Sequence, residues 1–281
     1  MGPFATRCFI AFDALGVSGA VVSRKLGRPL VRSFASRALS PGALNPVPSE
    51  RNIASPEEVR RAVKDVAESL APGPSRVTLM LPDGVARIVL LDLPGDVNPA
   101  AFARFRLASS LPYPVAEAVI DGLRVGHGKF LAAAVRRSVV EEYEQTLAAT
   151  ALVQDRIDLS PLAAVSALLR QPVTARTVDV ILGDAAVSMA LHGGEGLSAF
   201  RGRRRDPGPD EMWRLRDEAL RTLALAGNGT QPRIRVVGSG AGAAIGAFVA
   251  EGDTAEPGWR LDGQLPALAG AEHAWLGSAL A

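Results

Sequence analysis

Few side chains in this 281-residue sequence stand in a pattern that could do chemistry, and the best of those patterns could only cradle a phosphate. An apolar run, Ile234–Val237, feeds Gly238-Ser239-Gly240-Ala241-Gly242. A strand, a glycine turn and a helix in that order turn backbone amides and a helix N-terminus toward an anion or nucleotide. No Gly-Lys-Ser/Thr follows, so this is not a Walker A loop. The GxGxG spacing also misses the dinucleotide fingerprint, whose third glycine falls one residue later. The same glycines would equally serve to let a helix pack closely on a strand. Arg201-Gly202-Arg203-Arg204-Arg205 offers contacts to phosphate or to an acidic partner. Asp206, Asp210 and Glu211 follow it closely, which reads as a solvated loop with local pairing. His127, His192 and His273 show no metal-ligand spacing. Glu57-Glu58 and Glu141-Glu142 fall at helix N-termini, where the dipole favours negative charge. There is no nucleophile elbow, no ordered Ser, His and Asp, and no carboxylate pair of catalytic type.

Composition narrows the field further. At 48% hydrophobic and 21% charged, the chain can bury a sizeable core in one large domain or two lobes. Aromatics are only 5%, so Ala, Val and Leu must build that core. The net charge of +2 makes no case for a polyanion such as nucleic acid, despite a pI near 9.0. Nearly every basic residue is Arg; Lys occurs only at positions 25, 64 and 129. The single cysteine, Cys8, excludes internal disulfides and a cysteine-rich metal site, and in Cys8-Phe9-Ile10-Ala11-Phe12 it reads as a buried thiol. No apolar run reaches the roughly 18–20 residues of a membrane span, and Asp13 interrupts the N-terminal run before it resembles a signal peptide. A soluble, cytoplasmic protein is expected.

The elements that would position these residues can be read from periodicity and caps. Phe9–Phe12, Gly19–Val22 and Leu30–Phe34 read as strands, followed by a loop over 35–54. Ser55-Pro56-Glu57-Glu58 reads as a capping box, and Val59, Ala62, Val63, Val66 and Leu70 continue it as a helix. Val77–Leu93 reads as a hairpin turned by Asp83-Gly84. Asn98-Pro99 starts a short helix as cap and first-turn residue. Leu111-Pro112-Tyr113-Pro114 leads into a strand at Val119-Ile120-Asp121, and Lys129–Val135 forms another. Ser138-Val139-Val140-Glu141 reads as a second capping box, opening a helix with Val140, Tyr143, Leu147 and Ala151 inward. A helix from Ser160-Pro161 to about Leu169, strands at Thr177–Leu182 and Val187–His192, and helices over about 209–226 and 267–280 complete the reading. Val17-Ser18-Gly19-Ala20 recurs as Val187-Ser188-Met189-Ala190, each inside a strand–turn–strand unit, as a duplicated fold would require.

The order strand, strand, helix, Leu111-Pro112-Tyr113-Pro114, then a strand with central Asp121, resembles the inserted subdomain of the PilM family, actin-like cytoplasmic proteins of type IV pilus inner-membrane platforms. Trp275 and Leu276-Gly277-Ser278-Ala279-Leu280 resemble that family's closing helix. The resemblance implies an α/β, actin/hexokinase-like fold of two lobes with an inserted small α/β subdomain. The first lobe would be 1–84, completed by 155–176 and 266–281, the subdomain 85–154 and the second lobe 177–265.

In such proteins two loops, each with Asp-x-Gly after a first strand, organise Mg²⁺ and approach the phosphates of ATP. By resemblance, Asp13, Gly16, Gly183, Gly238, Ser239, Gly240 and Gly242 are the remains of a nucleotide cleft. Leu15 stands at the first loop's glycine, and Ala20 at its lysine, seven residues after Asp13. The second loop has two registers. The family's "GG…ftR" ending, matched by Gly193-Gly194 and Phe200-Arg201, puts Ile181 where the second Asp belongs. The internal echo puts Gly183 there, and neither register selects Asp184. ATP hydrolysis is therefore not expected, no metal or other cofactor is implied, and nucleotide binding would be weak at best.

The function implied is a cytoplasmic scaffold of a type IV pilus or related secretion machine, binding the N-terminal cytoplasmic tail of a PilN-like membrane protein. It would sit at the inner membrane through that partner, with self-association open. The alternative is an active actin-like ATPase or small-molecule kinase on the same fold.

Overall fold

The computed structural model describes residues 6–25, 28–70, 73, 75–126, 128–170, 176–205, 208–224, 233–238 and 260–262. Two antiparallel hairpin connections open the chain, linking β1 (Arg7–Asp13), β2 (Gly16–Lys25) and β3 (Arg28–Ala38). β4 (Arg76–Leu81) then pairs parallel to β1. β5 (Ala86–Asp92), β6 (Ala118–Arg124) and β7 (Lys129–Arg136) leave for a sheet of their own, in the order β5-β7-β6. β8 (Val153–Leu159) returns to pair parallel to β4 and completes a five-stranded sheet, β3-β2-β1-β4-β8.

A second five-stranded sheet repeats this plan. β9 (Thr177–Leu182), β10 (Ala186–Gly193) and β11 (Gly196–Arg204) are antiparallel neighbours. β12 (Arg233–Gly238) pairs parallel to β9, and β13 (Arg260–Asp262) parallel to β12. The order is β11-β10-β9-β12-β13, the same topology strand for strand. The sequence echo falls on equivalent strands in the same register: Val17 faces Phe12 across the first hairpin, and Val187 faces Leu182 across the second. Asp13 and Gly183 are therefore equivalent positions.

Each sheet carries an amphipathic helix. α1 (Pro56–Ser69) buries Val59, Ala62, Val63 and Val66, at the spacing of one helical face, against the first sheet. Farther along, α2 (Pro99–Leu107) is capped by Asn98, whose side chain accepts from the Ala101 amide at 3.1 Å, and packs on β6 and β7. α3 (Arg137–Glu144) follows β7 directly, and α5 (Glu211–Ala224) lays Leu215, Ala219 and Leu223 on the second sheet. α4 (Ser160–Leu169) differs from these. Pro161, Leu162, Ala163, Ala164, Val165, Ala167 and Leu168 are all buried, because it touches β8 on one side and β9 and β10 on the other. A helix apolar all round is one enclosed by packing, and this one carries a single core from lobe to lobe.

On the α4 side of the second sheet lies a buried charged cluster. Asp179 (β9) accepts from the Arg235 (β12) guanidinium at 2.5 and 2.9 Å, and its other neighbour is His192 (β10), with Nε2 at 2.7 Å. All three are nearly inaccessible to solvent.

Several expectations need correction. Asp83-Gly84 turn no hairpin: β4 is a buried parallel strand between β1 and β8, and a single 3-10 turn over Asp83–Val85 sends the chain to a different sheet. Neither capping box forms. The Ser55 side chain makes no cap bond, and Glu58 instead accepts from the Ser40 amide at 2.6 Å. Ser138 lies inside the first turn of α3, and Ala151 lies beyond the helix, exposed. The stretch after α3 conceals β8, whose residues alternate too weakly in polarity to be seen. Arg201–Arg204 belong to β11 rather than to a loop; pairing does occur there, Arg203 with Glu218 at 2.6 Å. Ser239, Gly240, Gly242, the expected C-terminal helix, His127, His273 and Asp206 lie outside the described residues.

The buried cluster gives a direct test. Asp179→Ala removes the buried carboxylate that Arg235 and His192 share and should destabilise the protein by about 3–5 kcal/mol in chemical denaturation. Tyr113→Phe is the opposite case: among the described residues its buried hydroxyl has no hydrogen-bond partner, so removing it should leave the midpoint unchanged or raised.

Candidate functional site

Because the two sheets share one topology, the tips of their first hairpins meet across the space between the lobes. Asp13 ends β1, and its carboxylate accepts from the Asp184 amide on the opposite tip at 3.1 and 3.2 Å, as well as from the Ala14 amide at 2.9 Å. Asp83, which follows the buried end of β4, adds a second carboxyl, and Ser188 donates to it at 3.5 Å. A Cβ on Gly183 would stand 3.7 Å from Asp13 Oδ2 and 3.8 Å from Asp83 Cγ, so both acids flank that glycine. Arg205 reaches in from the end of β11, donating to the Gly183 carbonyl at 2.9 Å. Its guanidinium is also engaged by Glu211 at 2.7 and 2.9 Å.

Asp13, Asp83 and Asp184 thus gather at the tips, with the Arg205 charge facing Asp13 and Asp184. Burial, then the neighbouring Asp184 charge, push the Asp13 carboxyl up to about 6. Burial, then Asp13, push Asp83 up to about 8. Pairing with Glu211 raises the Arg205 pKa, and the same pair lowers that of Glu211.

Among the described residues the cleft does not fit an Mg²⁺–polyphosphate. A phosphate would have to displace the Asp184 amide from Asp13, and it would bring further negative charge beside carboxyls whose pKa values burial and their acidic neighbours already raise. Leu15, at the first tip, is 55% exposed. Among the described residues, no cluster of His, Cys, Asp or Glu is arranged to hold a metal ion.

The sequence-derived site residues are only partly assembled. Asp13 and Gly183 do meet at the tips. Gly16 opens β2, where a Cβ would come within 2.9 Å of the Arg37 carbonyl, so its role is to let β3 approach. Gly238 ends β12 at φ +103°, and a Cβ there would run into the Leu182 carbonyl. Asp83, Asp184, Ser188 and Arg205 were not selected from sequence. The signal for Asp83 was available: Val77-Thr78-Leu79-Met80-Leu81 is apolar at four of five positions with no polar alternation, the mark of a parallel strand buried on both faces, and functional groups gather at such strand ends.

A groove lies beside the cleft, between the 44–53 segment and α3. Two adjoining depressions of about 300 and 290 Å³ share Arg51, Glu142 and Gln145 in their walls. Glu142 holds the wall in place, accepting from the Asn52 and Ile53 amides at 2.8 and 3.0 Å and from Arg51 Nε at 3.2 Å. Asn52 is fully buried. Its amide group donates to the Val47 and Glu50 carbonyls, and its oxygen accepts from the Val47 amide and the Tyr143 hydroxyl. The Tyr143 ring meets Phe12 edge-on at 5.0 Å, one residue from Asp13.

No protein-family model matches the chain, and no curated protein matches it at a significant level. Solved structures do. A chain of a PilM–PilN type IV pilus biogenesis complex superposes with a TM-score of 0.71 at 15% identity, over 98% of this chain and 96% of that one. A Bacteroides thetaiotaomicron protein of unknown function, with an actin-like ATPase fold, superposes with a TM-score of 0.57 at 8% identity, over 87% of each chain. The fold is the two-lobed, actin/hexokinase-like one.

The raised carboxyl pKa values set a pH dependence. Both groups hold protons more tightly folded than unfolded, so their contribution to stability is fullest below about pH 4 and is lost as pH rises through about 6 and 8. Asp83→Asn, which mimics the neutral acid, should reduce the fall in melting temperature between pH 5 and pH 8.5 relative to the parent.

Proposed function

We propose that this protein is a scaffold of a type IV pilus or related secretion machine, which captures the N-terminal cytoplasmic tail of a PilN-like membrane protein. The observation that carries the reading is the groove between the 44–53 segment and α3, in a chain whose fold follows a chain of the PilM–PilN complex over nearly all its length. An extended peptide suits such a groove because main-chain groups and a few pockets suffice to hold it, and no catalytic side chain is needed. Arg51, largely exposed, gives it a polar contact, and Glu142 fixes the wall by accepting from the Ile53 amide. The protein would work in the cytoplasm, reaching the inner membrane through its partner. Residues 85–154 would act as the inserted subdomain that forms one side of the groove.

The reading assigns no ATP turnover, because the tip that would receive phosphate holds the Asp13–Asp184 contact instead. Any nucleotide binding would be weak, and capture of the tail would not depend on it.

The test is calorimetric titration of the PilN-like tail peptide into the purified protein, with and without Mg²⁺–ATP. Micromolar binding that ignores ATP, lost about tenfold or more in Glu142→Ala, is the expected result. Binding only in the presence of ATP, or steady ATP turnover abolished by Asp13→Ala, would replace this reading with the ATPase or kinase alternative.

A further inference from the structure

We propose that the outer edge of β3 is a docking site for an acidic, extended segment of a partner protein, which adds to the first sheet as a sixth strand. The inference does not rest on the groove or on the reading above. β3 is a terminal strand of its sheet and spans 11 residues, Arg28–Ala38, well beyond the usual ~5–6 for a strand. Its pairing with β2 shifts register between Val21 and Val22, but from Ser33 to Ala38 the ladder is unbroken. Among the described residues no strand pairs with the outer side of that regular half, so its outward main-chain groups form a template for another strand.

Charge selects the occupant. From Ala14 to Ser49 the sequence has no Asp or Glu, while Arg24, Lys25, Arg28, Arg32 and Arg37 all fall within it. All 29 acidic residues lie outside this stretch, against 26 of the basic ones, so the rest of the chain is net −3 and the β2–β3 hairpin is a basic arm on it. For Arg32 and Arg37, neutralisation by acidic groups among the described residues is slight. Arg32 Nε donates to the Ser23 hydroxyl at 2.8 Å. Arg37 donates to the Ser36 carbonyl and the Ser69 hydroxyl, and its nearest carboxylate among the described residues is Asp65, at 4.0 Å. That pair is half-exposed, where such contacts are weak.

A second copy of this edge would place like charges opposite one another, which destabilises a strand pair. A lipid surface would meet the charge but leave the ladder unused. An acidic strand satisfies both the charge and the main-chain groups.

Two blocked octapeptides, (Glu-Val)₄ and (Lys-Val)₄, serve as probes in fluorescence titrations of the full chain. The Glu peptide should bind at least tenfold more tightly, and its affinity should fall as salt rises from about 50 to about 300 mM. Methylating alternate backbone nitrogens of the Glu peptide should weaken it about tenfold in one of the two alternations, the one whose amides enter the ladder. Arg32→Glu/Arg37→Glu should reverse the preference toward the Lys peptide, and Arg32→Ser/Arg37→Ser should abolish it. Equal binding of the two peptides, indifference to both methylation patterns, or binding of phosphatidylglycerol vesicles without binding of the Glu peptide would each overturn the proposal. The peptide arms use the parent protein, so they decide the matter even if a variant fails to fold.

Discussion

The carboxylate of Asp13 accepts from the amide of Asp184 across the interlobe space, and that contact closes the tips of the two lobes on each other. Identical sheet topologies bring two hairpin tips to the same place, each ending a central strand. In a phosphate site built this way, the amides of both tips would point at a shared anion. Here one tip supplies the anion and the other the amide, so the tips bind each other. Asp83 crowds the same space, and Arg205 arrives already engaged by Glu211. The result is a cleft whose acids are shifted toward their neutral form by burial and by one another.

The rest of the molecule is arranged to keep that geometry fixed. α4 belongs to the cores of both lobes, so the lobes share packing as well as a tip contact. The three-stranded sheet is tied to the second lobe where the Leu197 amide donates to the Val125 carbonyl at 3.1 Å, and to the first through Glu142 and Asn52. Phe12 and Tyr143 connect the groove to the cleft through a single ring contact. A surface shaped by so much internal bonding can receive a partner without first being ordered by a ligand, which reduces the entropy lost on binding.

Much of this was legible in the sequence, for identifiable reasons. α1 and α4 were clear because each begins with proline in its first turn and has a decisive apolar pattern. β9 and β10 were clear because their apolar runs are bounded by Gly183-Asp184 and by glycines at 193–194. The echo at Val17 and Val187 located the duplication and its register, since pairing partners are conserved by position in a repeated sheet. β8 was hidden because Val153–Leu159 lies at a sheet edge and mixes Gln, Asp and Arg with its apolar residues. Asp83 was misread because Asp-Gly after an apolar run is a strong hairpin signal, while here β4 ends inside a parallel sheet. Asp184 was invisible for a different reason. It acts through its backbone amide, which no residue type announces.

The account stands on the cleft being closed by its own residues. Double electron–electron resonance between spin labels on Arg61→Cys in α1 and Arg221→Cys in α5 would measure the interlobe distance directly. The native Cys8 should not compete for label, being buried with its thiol pushed up to about 11. A single narrow distance, the same with and without millimolar Mg²⁺–ATP and broadened by Asp13→Ala, is the expected result. A distribution that is broad in the parent protein, or that narrows or shifts when nucleotide is added, would contradict it.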